Sequence, residues 1–369
     1  MNPPAPATGP VAVVLGTRPE IIKLGHLIRL LGDAATVIHT GQHFDLELSE
    51  VFFEAFGLPV PTTTLGVGGS SRGAQIGGAI TALDAAFAAH RPSVVVVQGD
   101  TNSAAAGALA ANAAEIPLVH VESGLRSHDR RMPEEHNRII ADHLADLCCA
   151  PTEVNHQNLL GEGIPESRIR LTGNTIVEAV TGLIPDPKVR SRGLAERGLE
   201  SGRFVLTTFH RPENVDDQNT LLRILEQLAA VPLPVVLPLH PRTRQNIAAS
   251  EVLTRAAAAL ITCEPLDYAE FLGLAAESAL LISDSGGVQE EASIIKRPVI
   301  VVRRSTERPE VLGTFAARVE PGADFAAMAT SWLQDLPERH ATLAALPSPY
   351  GDGTASAQIA AAVREIADA

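Results

Sequence analysis

The chain has 369 residues, a length that predicts two domains of about 100–200 residues each. Its 29 Lys and Arg against 43 Asp and Glu give a formal net charge of −14, which argues against a nucleic-acid or anionic-membrane binder, since either presents a basic surface. Hydrophobic residues at 45% and charged residues at 20% are ordinary globular composition, and with 10 Phe, 2 Tyr and 1 Trp the core must be aliphatic.

The first ten residues, MNPPAPATGP, carry no basic residue and no apolar run, so they read as a short flexible tail rather than a signal peptide. Strands are predicted at Val11–Leu15, Ala35–His39, Val94–Val97 and Leu118–Val121, as continuous apolar runs of the kind buried in a parallel sheet. Helical patterns lie between them at Ile21–Leu31, His43–Phe56, Ala74–Ala89 and Ser103–Ala114. From Leu183 to Gly202 the chain is rich in Pro, Gly and charge and reads as a connection between domains. A second βα series has strands near Phe204–Thr208, Val235–Leu239, Leu280–Ser283 and Val299–Val302. After the breaker Pro347–Gly353 comes a last helix, Ala355–Ala367, able to pack on either domain. No run of 18 apolar residues occurs, and three cysteines, two of them adjacent at Cys148 and Cys149, fit buried thiols in a reducing compartment. The expectation is a cytoplasmic α/β protein with a ligand cleft between two βα domains.

Chemistry-bearing residues gather where strands end, the edge at which doubly wound sheets bind ligands. Gly16-Thr17-Arg18-Pro19-Glu20 joins a strand to a proline-initiated helix; with Arg18 and Lys23 it is either an anion site or a capped turn with solvated charges. It lacks Gly-x-Gly-x-x-Gly, so no nicotinamide cofactor is indicated. Asp100 follows one strand, Glu122 ends another, and Glu134 and Glu135 open a helix after Pro133. Singly each acid is a helix cap or ion-pair partner; three from one rim suit acid–base work, because crowded carboxylates raise one another's pKa. In the second half His210 and His240 each follow a strand, as proton donors facing a cleft or as histidines satisfied by backbone; no metal-binding spacing accompanies them. Ser285-Gly286-Gly287 precedes a helix carrying Glu291, which suits a diphosphate at the glycines and a ribose at the acid, or else a plain helix cap. Arg303 to Glu310 adds a basic loop after the last of these strands.

In sequence, GTRPE, TGQH, QGDT, HVESGLRS, MPEEHNR, TGNT, TFHRPENV, PLHP, SDSGGVQEE, TERPE and PYGDG cover about 340 residues in collinear order. This series resembles the non-hydrolysing UDP-N-acetylglucosamine 2-epimerase family. The resemblance implies a glycosyltransferase-B-like α/β architecture: two Rossmann-like domains with parallel sheets facing a central cleft. Domain limits at 1–182 and 183–354 are expected, with helix 355–369 returning to the first. It also implies a homodimer without added cofactor or metal that interconverts UDP-GlcNAc and UDP-ManNAc, by elimination of UDP to a 2-acetamidoglucal and re-addition.

By the same resemblance, Asp100, Glu122 and Glu134 match acid–base carboxylates, and His210 matches a catalytic histidine near the diphosphate. Arg18, Lys23 and Arg138 match contacts to sugar and phosphate; Ser285, Gly286, Gly287, Glu291 and Arg308 match contacts to UDP. Gln42, His43, Arg211 and His240 match a second, allosteric UDP-GlcNAc site, although Asp45 brings an acid where such members often carry Gln. The segment between Arg126 and Glu134 is the shorter form, without the aromatic-containing stretch of many bacterial members, which leaves the hexosamine open. Alternatives are a 2-epimerase of a 3-acetamido or uronic-acid UDP-hexosamine, a hydrolysing relative releasing N-acetylmannosamine and UDP, a glycosyltransferase, or a non-catalytic UDP-sugar binder.

Overall fold

The structure is a computed structural model describing residues 10–42, 53, 57–58 and 61–368. The chain divides into two compact units, Met1–Ala179 with Tyr350–Ala369, and Val180–Pro349.

In the first unit seven strands form one sheet: β1 Val11–Leu15, β2 Ala35–His39, β3 Thr63–Thr64, β4 Val94–Gln98, β5 Leu118–Val121, β6 Leu147–Ala150 and β7 Ile169–Leu171. Their order is β3-β2-β1-β4-β5-β6-β7, and every pairing is parallel. Val13 sits between Val37 and Val96 in register. Strands β1, β4, β5 and β6 are buried along their whole length, as unbroken apolar runs require when helices cover both faces.

One of those helices, Asn102–Ala113, is almost entirely Ala, Gly and Ser on its buried side, so it lies very close to the sheet. A Cβ on its Gly107 would stand 2.7 Å from Val97 Cγ1, which only glycine tolerates. Thr101 caps this helix by accepting from the Ala104 N–H at 2.9 Å, which fixes the loop after β4. The C-terminal helix Ala355–Ala367 packs on the helix Arg18–Leu31, where Arg364 donates to the Leu30 carbonyl at 2.5 Å.

The second unit holds six parallel strands: β8 Val205–Thr208, β9 Val235–Pro238, β10 Ile261–Cys263, β11 Leu280–Ser283, β12 Val299–Val302 and β13 Ala316–Val319. Their order is β10-β9-β8-β11-β12-β13. Its core is aliphatic, with Val205, Ile224, Leu237, Ile282 and Ile300 all but inaccessible. Both sheets therefore reverse direction between their first and fourth strands, at β1/β4 and at β8/β11, and such a switch point leaves a crevice at the carboxyl ends.

Two regions differ from the sequence expectations. Leu183–Gly202 is not a bare connection: Pro187–Glu196 is a helix, opened by Pro187 in its first turn and packed on the helix Tyr268–Glu277. It buries Leu194, and Arg190 pairs with Glu277 at 2.7 Å. The helix Arg18–Leu31 starts three residues before Ile21, so Arg18 and Glu20 belong to its first turn. The helix expected at His43–Phe56 falls almost wholly outside the described residues. Among the described residues, no helix is long and apolar enough to cross a membrane.

Candidate active site

At the β1/β4 switch point of the first unit, the loops Gly16-Thr17-Arg18 and Gly99-Asp100-Thr101 leave adjacent strands. Gly16 is required by close approach: a Cβ there would lie 2.0 Å from Thr40 Oγ1 and 2.2 Å from Ser103 Oγ. Glu20, wholly inaccessible, accepts from the Gly16 N–H at 3.0 Å, from Thr17 Oγ1 at 2.8 Å and from Thr101 Oγ1 at 2.8 Å. Burial pushes its carboxyl up to about 7, against the pull of those hydrogen bonds. It ties the two loops together.

The expected acids fall into two arrangements around these loops. Glu122, nearly buried at the end of β5, accepts from Lys23 Nζ and, at 2.8 Å, from Gln98 Nε2. Its φ of +65° is the left-handed region, a conformation that costs a non-glycine residue about 1 kcal/mol or more and clusters at functional sites. Asp100, more open, pairs with Arg138, whose other arm reaches Glu135 Oε2 at 2.6 Å. Asn137 holds the Asp100 carbonyl at 2.9 Å.

The helix Pro133–Leu144 separates its two leading acids by role. Glu135 accepts from the Ser127 and His128 N–H groups at 3.0 and 2.7 Å, and from Ser127 Oγ at 2.9 Å. Burial alone would raise its carboxyl; those N–H groups and Arg138 outweigh it and hold it below the usual range. Glu135 is a structural anchor. Glu134, half-buried, makes no side-chain hydrogen bond or ion pair with a described residue.

The second unit repeats the design at β8/β11. His210 follows β8 and turns its Nδ1 to Asp284 Oδ1 at 3.0 Å. Asp284 is inaccessible and also accepts from the His210 N–H at 3.1 Å, the Arg211 N–H at 2.9 Å and Asn214 Nδ2 at 3.1 Å. Burial works against its charge, but the hydrogen bond and charge of His210, with the Arg211 N–H and Asn214, keep its pKa below the ordinary value. Arg211 Nε reaches the Asp284 carbonyl at 2.9 Å, and the His240 ring lies 5.5 Å from that of His210, tilted by 41°.

Ser285 opens the helix Gly286–Ile295 without a side-chain cap, so its hydroxyl is not spent on the helix. A Cβ on Gly286 would sit 2.8 Å from both Arg308 Nη1 and Glu307 Oε1, so the ends of that ion pair would have to move to admit it. Arg308 is paired with Glu290 at 2.7 Å and with Glu307, so its charge is already committed to two buried acids. Glu291 accepts from Tyr268 Oη at 2.9 Å; burial and that carboxylate push the phenol well above its usual range.

Of the residues expected at an allosteric site, Gln42 accepts from the Ser103 N–H and Oγ, both at 2.9 Å, while Arg211 and His240 flank His210. His43 lies outside the described residues, as does Asp45. Sequence reasoning passed over Glu20, Asp284 and Tyr268. Asp284 stood inside the Ser-Asp-Ser-Gly-Gly motif, and its position directly after a buried strand was the available signal.

Residues 32–364 match the family model described as UDP-N-acetylglucosamine 2-epimerase. The UDP-N-acetylglucosamine 2-epimerase of Methanocaldococcus jannaschii is 40% identical over 313 residues, covering 82% of this chain and 86% of that protein. The UDP-2,3-diacetamido-2,3-dideoxy-D-glucuronate 2-epimerase of Pseudomonas aeruginosa is 36% identical over 358 residues, covering 95% and 98%. Among solved structures, the UDP-GlcNAc 2-epimerase of Neisseria meningitidis bound to UDP-GlcNAc superposes with a TM-score of 0.87 at 30% identity, over 96% of this chain and 99% of that one. The fold is accordingly the glycosyltransferase-B-like α/β class, two parallel doubly wound sheets. On fold, family model and relatives together, this chain belongs to the UDP-N-acetylglucosamine 2-epimerase family of enzymes.

Proposed function

We propose that the enzyme inverts C2 of UDP-N-acetylglucosamine, giving UDP-N-acetylmannosamine, and does so reversibly. A carboxylate of the Asp100, Glu122 and Glu134 set removes the C2 proton. The C1–O bond breaks, its electron pair leaves on the β-phosphate oxygen of UDP, and C1=C2 of a 2-acetamidoglucal forms. UDP then adds back to C1 while C2 takes a proton on the opposite face. Because the C2 hydrogen is weakly acidic, proton removal needs a positioned base, and the departing diphosphate needs positive charge and hydrogen-bond donors.

The observation that carries this reading is the pair of cation-oriented acids at one strand rim, Glu122 with Lys23 and Asp100 with Arg138. His210 is assigned to the departing diphosphate, with its Nδ1 engaged by Asp284 and Nε2 the nitrogen for substrate. Gly286, Gly287 and the hydroxyl of Ser285 are assigned to the diphosphate, and Glu291 to the ribose. Arg18 is assigned to phosphate, and Arg308 to shaping the glycine turn beside it. No added cofactor enters this scheme, and the assembly proposed is a homodimer, which light scattering of the purified protein tests.

A second reading keeps the chemistry and changes the sugar. The Pseudomonas relative is named for a diacetamido uronic acid, and this chain aligns with nearly all of it. Incubation with UDP-GlcNAc and with its 2,3-diacetamido and uronic-acid forms, followed by chromatography, separates the readings. The proposed activity gives UDP-ManNAc; turnover of the diacetamido uronate alone favours the second, and free N-acetylmannosamine with UDP indicates hydrolysis.

A further inference from the structure

Behind the carboxylates of the first unit lies a buried group of charges that the proposed reaction leaves unused. His120, in the middle of β5, is wholly inaccessible, and so is Asp142 on the helix Pro133–Leu144. His120 Nδ1 lies 2.7 Å from Asp142 Oδ1, and its Nε2 lies 2.8 Å from the Gly99 carbonyl oxygen. Asp142 also accepts from the Gly124 N–H at 3.2 Å and pairs with Arg126 Nη2 at 2.7 Å. Arg126 in turn makes a two-pronged bond to Glu162, at 2.7 Å through Nε and 2.6 Å through Nη2.

The partners of His120 and Asp142 fall on the segments bearing the acids of the proposed mechanism. Gly99 directly precedes Asp100. His120 and Gly124 flank Glu122, each two residues away. Asp142 rides the same helix as Glu134 and Arg138. Gly99 and Gly124, at φ +68° and +81°, are the turns that carry the backbone away from the strands, so the bond at Gly99 bears on where Asp100 points and the bond at Gly124 fixes the turn that follows Glu122.

The chemistry of the partners decides the proton count. A carboxylate and a peptide carbonyl only accept, so both ring nitrogens of His120 must donate, and the ring carries a proton on each. Two cations, His120 and Arg126, then face the buried Asp142, and the second positive charge, that of Arg126, is met at the surface by the solvent-accessible Glu162.

We infer that His120 and Asp142 form a positioning pair: a buried imidazolium–carboxylate bond that holds the three carboxylate-bearing segments of the first unit in mutual register. The pair touches no substrate and acts through Asp100, Glu122 and Glu134; its kinetic consequence rests on the epimerase reading above.

The test uses the full chain. His120→Gln can donate to only one of the two acceptors, and Asp142→Asn keeps the shape while removing the charge. Both variants are expected to bind UDP as the parent does, by calorimetric titration, because His210, the glycine turn and Glu291 assigned to UDP lie in the other unit, and Arg18, the one phosphate contact assigned to the first, is not among the partners of the pair. Per UDP-binding site, kcat for UDP-GlcNAc should fall about tenfold or more with little change in KM. A role in folding alone would lower the yield of UDP-binding protein and leave kcat per site unchanged, which overturns the proposal. A second measurement needs neither variant to be active, nor any substrate: ¹⁵N-histidine NMR of the parent enzyme at neutral pH, with His120 assigned by difference or by its coupling through the buried bonds. Protons on both ring nitrogens are expected. An unprotonated nitrogen on His120 overturns the proposal even if the enzyme acts on a different sugar, and absence of turnover with both nitrogens protonated faults the substrate reading instead.

Discussion

His210 Nδ1 stands 3.0 Å from Asp284 Oδ1, and the same carboxylate grips the backbone N–H groups of His210 and Arg211. One buried acid therefore sets both the ring and the main chain that carries it. Asp284→Asn would keep the shape but withdraw the charge facing Nδ1. Turnover should fall about a hundredfold, the lower end of what a positioned proton-transfer group contributes, with UDP affinity nearly retained. Steady-state kinetics beside UDP titration measures this, and unchanged kcat would remove the pair from the mechanism.

Of the two candidate acids with a cation partner, Asp100 is the more open, its side chain 30% exposed beside Arg138 against 5% for Glu122 beside Lys23. Asp100→Asn preserves a hydrogen-bond acceptor for Arg138 but cannot take a proton. Turnover should drop on the order of a thousandfold. Binding of UDP should persist. Parent-like turnover would dismiss Asp100 as an acid or base.

Glu20 gives the stability of the fold a pH dependence of known sign. Its folded pKa, about 7, exceeds the ordinary value of 4.5, so between those limits the folded state holds a proton that the unfolded chain has lost. Its contribution thus declines as pH rises through that window, by about 3 kcal/mol at most. Glu20→Gln cannot titrate. Whatever its stability at pH 4.5, the variant should gain on the parent as pH approaches 7.5, as denaturant titrations at the two pH values will show; a constant difference would mean that Glu20 is not buried as described.

Gly124 combines a φ of +81° with a neighbour that cannot yield. A Cβ there would lie 2.3 Å from the Asn155 carbonyl oxygen, which is backbone. Gly124→Ala should cost about 2 kcal/mol or more from strain and overlap together. A thermal unfolding midpoint equal to that of the parent would contradict the packing of this turn against the helix Glu153–Gly161.

The interior strands were legible because each is a continuous run of buried apolar residues, as in Val11–Leu15 and Val299–Val302. The short outer strands were not: Ile261–Cys263 leaves Ile261 and Thr262 exposed, and Thr63–Thr64 has no apolar residue at all. Leu147–Ala150 is interior but built around two cysteines, a composition with little strand signal. The helix Pro187–Glu196 escaped notice because it buries only Leu194 and leaves its charges to solvent and Glu277. For the site, the collinear motifs put each candidate acid at a strand or helix end, since that is local information. The partners were beyond reach: Asp284 meets His210 across 74 residues of chain and Lys23 meets Glu122 across 99. Nor does periodicity find the buried polar face of Pro133–Leu144, where Glu135, Arg138 and Asp142 occupy the positions normally held by core hydrophobes.

Exchange at C2 reports on proton abstraction itself, the step the carboxylates are proposed to perform. The enzyme is incubated with UDP-GlcNAc in heavy water and the recovered UDP-sugars are analysed by proton NMR. UDP-ManNAc with deuterium at C2 is expected, with progressive loss of the C2 proton signal from UDP-GlcNAc as the reaction reverses. UDP-ManNAc formed with its C2 proton fully retained would contradict proton abstraction at C2.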